Sequence, residues 1–429
     1  MMYVTRSRPQ ELYRNIVACR ICGDTNLAEG ISLGPQFLST TFVQTNEGHP
    51  LSDAKVPLTL LLCDGCHTLQ LKESVDRTSL YDDYSYRISA NPAKRTVLKE
   101  LVADVTGRVE IGKGDAVLDI GANDGTLLSY YPTKVRQIGV EPAENISWSH
   151  LDRSIAIING TFSESAIRPV LGQGQVKIIT SVAMLSEVND LHAFAKDVKA
   201  LLAKDGVWCI QVSYLPQLLD TLTFHEFCHD HLYYFSLMTL NSLLEENGLS
   251  IFDVSLNKTS GGSIRAFASH RESVPEKTEA FHNLLQSEAT LGLDEPETYA
   301  AFHQRLLKLK TTIKSFIRQE HEAGYTIGGL GASSKANVML QFFDIDKHVL
   351  PYISERNPDK VSLRTLGTDI ELVSEHRARQ LKPDVMMVLP WHLKSELMRR
   401  EKRYLENGGK LLFPMPYPHI VTRCGETLL

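Results

Sequence analysis

Short apolar runs alternate with stretches of helical spacing along most of the chain. Ala93 to Val105 has helical spacing and leads into the apolar run Ala116-Val117-Leu118-Asp119-Ile120. The turn Gly121-Ala122-Asn123-Asp124-Gly125 comes next, and Thr126 to Tyr130 is predicted to open a helix. Further strand-like runs fall at Gln137 to Val140, Val176 to Ile179 and Val207 to Val212. Strands alternating with helices predict a parallel sheet covered by helices. A helical span from Glu276 to His321 leads to a second unit of the same kind. There Thr326-Ile327-Gly328-Gly329-Leu330-Gly331 reads as strand and turn, and Ala332 to Phe343 as the next helix. Val349 to Ile353, Val385 to Leu389 and Lys410 to Phe413 read as further short strands. The expected fold is α/β, with two Rossmann-like sheets in one chain.

Residues 1 to about 80 have a different texture. Leu33-Gly34-Pro35 and the apolar run Val56 to Leu62 suit a small β-rich ribbon. At about 150 residues per domain, 429 residues correspond to about three domains. The boundaries are placed at 1–80, 81–250 and 251–429, and no solenoid repeat or low-complexity tract interrupts them.

Composition narrows the function classes. Apolar residues make up 43% and charged residues 22% of the chain, an ordinary globular balance. Lys plus Arg number 45 against 51 Asp plus Glu, a formal net charge of −6. Without a basic excess to track a phosphate backbone, nucleic acid is not the expected partner, although one local basic pocket for a small anion is allowed. No apolar stretch approaches the ~20 residues of a membrane span. Met1 to Arg20 has charge but neither an apolar core nor a small-residue cleavage site. A cytoplasmic protein is expected, as a monomer or small homo-oligomer.

Four of the seven cysteines form two C-x-x-C pairs, Cys19-x-x-Cys22 and Cys63-x-x-Cys66. In a chain without a secretion signal such pairs read as metal ligands rather than disulfides. Four thiolates make a closed tetrahedral shell for a structural Zn²⁺. Gly23 and Gly65 ease the two turns, and His67 is the alternative ligand.

The turn after Asp119 carries the second signal. Glycines at 121 and 125 let a ligand approach the backbone. Glu141 stands at the end of the next predicted strand, in Gly139-Val140-Glu141-Pro142, where a carboxylate accepts both hydroxyls of a ribose. The dinucleotide fingerprint G-x-G-x-x-G is not present. One acid ending the first strand and a G-A-N-D-G turn resemble the S-adenosylmethionine site of a Rossmann-type methyltransferase. The expected contacts are Asp119, Gly121, Ala122, Asn123, Asp124, Gly125, Glu141, Pro142 and Ser181.

Further motifs follow in order: Phe224 to Ser236, Gly261-Gly262-Ser263-Ile264-Arg265, Gly329-x-Gly331-Ala332-x-x-Lys335, and Glu355-Arg356-Asn357-Pro358-x-Lys360. With the cysteine pairs and the tract Val117 to Gly125, the chain resembles, along nearly all its length, the C-methyltransferases acting on nucleotide-linked keto-deoxyhexoses. That family has a zinc-binding N-terminal domain, a Rossmann methyltransferase domain and a C-terminal domain with its own Rossmann-like sheet. The resemblance implies S-adenosylmethionine and Zn²⁺ as cofactors and a nucleoside-diphosphate keto sugar as the small-molecule substrate.

The segment Cys228-His229-Asp230-His231 bears most directly on the chemistry. The family carries Tyr-His-Glu-His there and uses the tract around the reacting carbon. Methylating carbon beside a ketone needs a base for the α-proton and donors for the enolate oxygen. By position His231 is the candidate base, Asp230 orients it or relays the proton, and His229 is a polar support. A second zinc site or a surface loop is the alternative reading. Cys228 stands in place of the family's tyrosine, so a hydroxyl often assigned to catalysis is missing. Glu187 replaces a histidine, Gln211-Val212-Ser213-Tyr214 replaces Glu-x-Pro-Tyr, and Ser260 replaces a histidine before Gly261-Gly262.

In the C-terminal unit Gly331, Ser333, Ser334 and Lys335 converge at a predicted helix start, where amides, hydroxyls and one ammonium suit an anion. Arg356 and Asn357 follow the next predicted strand and are expected to reach the same phosphate or the base, and Tyr214 is expected on the acceptor. An enzyme methylating oxygen or nitrogen of a related phosphorylated molecule is the alternative function, and a non-catalytic binding protein a further one.

Overall fold

The structure is a computed structural model describing residues 12–39, 41–49, 51–75, 88–89, 92–333 and 335–429. The run Ala116–Ile120, buried at every position, forms the middle of a sheet that has seven strands among the described residues. Their order is Leu249–Asn257, Ser263–His270, Leu202–Ser213, Val176–Val182, Ala116–Ile120, Arg136–Glu141 and Ile155–Asn159. The last five are parallel, and Ser263–His270 runs antiparallel to both its neighbours. Continuous burial is what a strand covered on both faces requires. The helix Pro92–Thr106 covers one face through Leu98, Leu101 and Val105. Leu191–Leu201 packs Phe194, Val198 and Leu201 into the core that holds Trp208 and Ile210.

This sheet runs on past residue 250, where the sequence reading sets a boundary, because Leu249–Asn257 and Ser263–His270 complete it. The helix expected to open at Thr126 is a single 3-10 turn, Leu128–Tyr130. Pro132 holds Tyr131 in extended backbone and stops it. The helical span expected over Glu276 to His321 is two helices, Glu279–Glu288 and Pro296–Glu322. Between them Gly292 adopts φ +57, and proline begins the second helix.

The third region builds a sheet with nine strands among the described residues. Its parallel centre is Lys410–Phe413, Val385–Val388, Ile327–Leu330, Tyr352–Glu355 and Glu371–Ser374. The helix expected from Ala332 begins later, as Ala336–Phe342. The far edge is Phe42–Val43, from the N-terminal region, paired with Arg364–Thr365. Gln341 binds the main chain of Phe37 both ways, accepting from its N–H (2.7 Å) and donating to its carbonyl (3.2 Å).

The cysteine region forms a sheet with four strands among the described residues, Leu27–Gln36, Val56–Cys63, Leu69–Leu71 and Tyr233–Tyr234. That last strand belongs to the segment expected to carry the chemistry. The three sequence regions therefore interlock by exchanging strands.

Candidate active site and metal centre

The four cysteine thiols converge, all within 4.8 Å of one another. Cys19 and Cys66 Sγ are 3.6 Å apart, and Cys22 and Cys63 Sγ 3.5 Å. Tetrahedral zinc–thiolate bonds of about 2.3 Å set sulfurs about 3.8 Å apart, so the donor set fits Zn²⁺. Gly23 at φ +76 closes the first knuckle, and Gln70 Nε2 donates to Cys19 Sγ at 3.0 Å. His67, the alternative ligand, is not part of the cluster.

The turn after Asp119 is built for close approach. Gly121 and Gly125 both have φ +76, and Asn123 has φ +48. A Cβ at Gly125 would collide with the Leu151 side chain, and one at Gly121 would lie 3.3 Å from Met184 Cγ. The order of the strands reverses between Ala116–Ile120 and Val176–Val182, where α/β sheets open a ligand crevice. Glu141 ends the adjacent strand, and its carboxylate accepts from the Asn123 amide (2.8 Å) and the Ala143 amide (2.9 Å). A carboxylate oxygen accepts two hydrogen bonds, so holding this backbone is compatible with holding a ribose diol. Pro142 follows at the strand's end. Buried Asp119 accepts from Thr180 Oγ1 at 2.6 Å. Burial, with the charge of Glu141 nearby, lifts its pKa to about 7.

Other expected donor contacts have structural roles. Asn123 Oδ1 and Asp124 Oδ2 accept from the amides of Ile88 (3.1 Å) and Ser89 (2.7 Å), tying that segment to the turn. The Ala122 side chain packs into the core beneath the turn, and its amide donates to the Val140 carbonyl at 3.1 Å. Ser181 is a correction. It is fully buried and its hydroxyl accepts from the Trp208 indole at 3.1 Å, on the sealed side of the strand.

Beside this turn a pocket opens at the ends of Val176–Val182 and Leu202–Ser213. The loop of Thr259 and Ser260 closes it, with Lys94, Glu226, His231 and Lys335 on its walls. Ser260 at φ +54 and Gly261 at φ +83 bend that loop, and Gly261 presses its backbone against Thr223. Glu226 is 3% exposed. Its Oε2 accepts from Lys335 Nζ (2.6 Å) and from Ser213 Oγ (3.2 Å). Lys335 Nζ also reaches His231 Nε2 at 3.1 Å. Burial pushes the Glu226 carboxyl up, but Lys335, His231 and His225 outweigh it and hold it down at about 2. Burial pulls Lys335 down, yet Glu226, Cys228 and Asp230 raise it, so it stays an ammonium. Burial drives His225 and His392 to about 4, leaving both rings neutral.

The segment 228–231 divides by role. His231 faces the pocket. His229 turns away, its Nε2 lying 3.3 Å from the Val56 carbonyl and 3.2 Å from that of Pro57, and so anchors the segment to the cysteine region. Cys228 Sγ donates to the Glu226 carbonyl at 3.2 Å, and burial pushes the thiol well above its ordinary pKa, so it is no nucleophile. Cys228, Asp230 and His231 offer metal-ligand atoms within 4.8 Å of one another. The Lys335 ammonium stands against that cluster and repels a second cation, which disfavours the second zinc site.

The expected anion site in the third region is not assembled as the sequence suggests. Lys335 points into the pocket, drawn there by Glu226. Ser333 Oγ caps the helix by accepting from the Ala336 amide at 3.1 Å, and Ser334 lies outside the described residues. Asn357 Oδ1 accepts from the Asp359 amide, and exposed Arg356 pairs with Glu396 at 3.6 Å. Gly331 does adopt the left-handed φ of +85. Tyr214 is a further correction. It is buried, and its hydroxyl donates to Glu288 at 2.6 Å, a carboxylate that also receives the amides of Leu237 and Met238 at a helix start.

Two carboxylates were missed. Glu226 interrupts an otherwise apolar and aromatic run, Phe224-His225-Glu226-Phe227-Cys228, which is the signal that could have found it. Glu355 repeats the place of Glu141 in the second Rossmann unit, since its carboxylate accepts from the Ala332 amide of the glycine turn at 2.9 Å.

Comparison with known proteins decides the family. Residues 19–81 match a zinc-binding domain model, 93–254 a methyltransferase domain, and 258–416 a C-methyltransferase C-terminal domain. The chain is 28% identical to the C-methyltransferase NovU of Streptomyces niveus over 415 residues, 96% of this chain and 99% of that protein. The chain carries all three domains of a C-methyltransferase.

It is therefore an S-adenosylmethionine-dependent C-methyltransferase with a zinc-binding N-terminal domain. Solved structures with similar folds include the glycopeptide N-methyltransferase MtfA complexed with S-adenosylmethionine, 10% identical, covering 44% of this chain and 96% of that one at TM-score 0.33. Another is the CurJ carbon methyltransferase, 14% identical over 46% of this chain and 61% of that one, at TM-score 0.34. Among the described residues no helix is long and apolar enough to cross a membrane.

Proposed function

We propose that the C-methyltransferase acts on a nucleotide-linked keto-deoxy sugar, removing the proton beside the ketone. The observation that carries this reading is the buried array of His231, Lys335 and Glu226 at the ends of the donor-sheet strands. Met184 packs on Gly121, and its chain neighbour Ala183 lines the pocket. Base and donor cleft are thus neighbours.

Bound S-adenosylmethionine supplies an electrophilic methyl group. The chain's own residues do the rest. The backbone at Gly121 to Gly125 leaves room for the donor, and Glu141 holds the ribose. His231 takes the α-proton, and Asp230 beside it favours the imidazolium that forms, as neighbouring carboxylates do. The pocket walls hold the acceptor at contact distance and limit water, which supplies much of the rate. The nucleotide end of the acceptor lies toward the third region, where Gly331 and Glu355 repeat the turn-and-carboxylate arrangement of the donor domain.

His231→Ala tests the base. It is expected to abolish turnover on nucleotide-linked 4-keto sugars while leaving donor affinity, read by calorimetry, within about twofold of wild type. Turnover near the wild-type rate in that variant would remove His231 from the role.

A further inference from the structure

Resting on that reading, we infer that Lys335, held by Glu226, is the donor that binds the acceptor's carbonyl oxygen as it becomes an enolate. Three observations lead there. Cys228 turns its thiol to the Glu226 carbonyl, so that side chain offers the pocket no donor. Lys335 reaches the same pocket from the third region, its side chain still 25% exposed, and binds Glu226 and His231 together. An ammonium has three N–H bonds; two are accounted for, and the third has no hydrogen-bond partner among the described residues.

The arrangement also explains how the base is kept ready. Nε2 of His231 accepts from Lys335, so the neutral ring carries its other proton on Nδ1. An arriving ketone takes the unpartnered lysine N–H, and as the α-carbon enters beside His231 it displaces the N–H held on Nε2, so that the lone pair becomes available to the α-proton. The C–H bond then breaks, its proton forms an N–H bond on His231, and its electron pair becomes the enolate double bond. The displaced carbonyl pair settles on the oxygen, facing the ammonium. The enolate carbon would then bond to the methyl group of bound S-adenosylmethionine as the methyl–sulfur bond breaks, its pair staying on the sulfur of the departing S-adenosylhomocysteine. Throughout, Glu226 keeps its 2.6 Å contact and fixes where the ammonium stands, which makes it a positioning residue. Ser213 Oγ in turn orients the Glu226 carboxylate.

The test uses Lys335→Met and, because that change strands a buried carboxylate, the double variant Lys335→Met/Glu226→Gln. The probes are uridine- and thymidine-diphosphate 4-keto-6-deoxyglucose in deuterated water, with and without S-adenosylmethionine. Both variants are expected to lose α-deuterium exchange and kcat together by roughly 100- to 1,000-fold, the range for removing one oxyanion donor. Donor affinity should stay within about twofold. Glu226→Gln alone should lower kcat by a smaller factor, with Lys335→Arg partly active. A variant with wild-type exchange and kcat but a raised KM would overturn the inference, placing Lys335 on a phosphate instead. If the wild type exchanges neither probe, the keto-sugar reading fails and this inference with it. Exchange by wild type and Lys335→Met alike contradicts only the role of Lys335.

Discussion

Asp119 shows how one buried side chain links fold, donor and pH. Its pKa of about 7, against an ordinary 3.8, means that the folded chain holds a proton the unfolded chain has released between about pH 4 and pH 7. The stability this proton contributes is present at low pH and lost as the pH rises through about 7. A cationic methyl donor nearby favours the ionised carboxylate and pulls that pKa down. Donor binding at pH 7 is therefore expected to release a fraction of a proton, read as a dependence of calorimetric heat on buffer ionisation enthalpy. Asp119→Asn should abolish that release, and buffer-independent heat in the wild type would contradict the account. Glu141→Ala belongs beside it. Losing a hydrogen bond to a charged group costs about 1.5–3 kcal/mol, a roughly 10- to 150-fold weaker donor, and unchanged affinity would refute the ribose role.

Residues also differ in how plainly the sequence announces their roles. The cysteine cluster, the turn glycines and the place of Glu141 at its strand end are legible because spacing alone constrains them. That His231 lines the pocket is legible from the tract it sits in. Tyr214, Ser181 and Lys335 hold partners that their local motifs do not announce. Their partners Glu288, Trp208 and Glu226 lie 74, 27 and 109 positions away.

At the scale of elements, the zinc centre and the chemical segment are parts of one small sheet. Gln70 Nε2 touches Cys19 Sγ, and Gln70 pairs across the sheet with Tyr233, two residues after His231. His229 and Leu232 add ties to Val56, Pro57 and Leu71. The metal is thus a positioning device for the segment as well as a source of folding energy. Cys22→Ser is expected to lower zinc content and to reduce Tm by roughly 10 °C, corresponding to ~3–4 kcal/mol at about 2–4 °C per kcal/mol. Turnover should fall at temperatures where the fold persists. Full activity in zinc-free, folded protein would sever the link. Apolar runs located four of the seven strands of the donor sheet and four of the nine of the third-region sheet among the described residues, chiefly the buried parallel ones. Element ends were less legible, because Pro132 and Gly292 override helical spacing and the Ser333 cap delays the start of Ala336–Phe342.

Across the whole molecule, no region keeps its strands to itself. Phe42–Val43 edges the third sheet, Tyr233–Tyr234 completes the N-terminal one, and Leu249–His270 finishes the donor sheet across the expected boundary at 250. Such exchanges cannot be read from a single strand's pattern, since a two-residue edge strand has no periodicity. They predict that unfolding is shared. Calorimetry should give one dominant transition, and three well-separated transitions would contradict the interlocked fold. Interlocking also brings Lys335 from the third region to Glu226 and His231, so the pocket exists only in the assembled chain.

The most direct test of the central claim is incubation with S-adenosylmethionine and nucleotide-linked 4-keto sugars in deuterated water, read by mass spectrometry and NMR. The account predicts a methyl group gained on the carbon beside the ketone, with deuterium exchange at that carbon dependent on His231. A protein that binds the methyl donor yet neither methylates nor exchanges any sugar of the panel would contradict it.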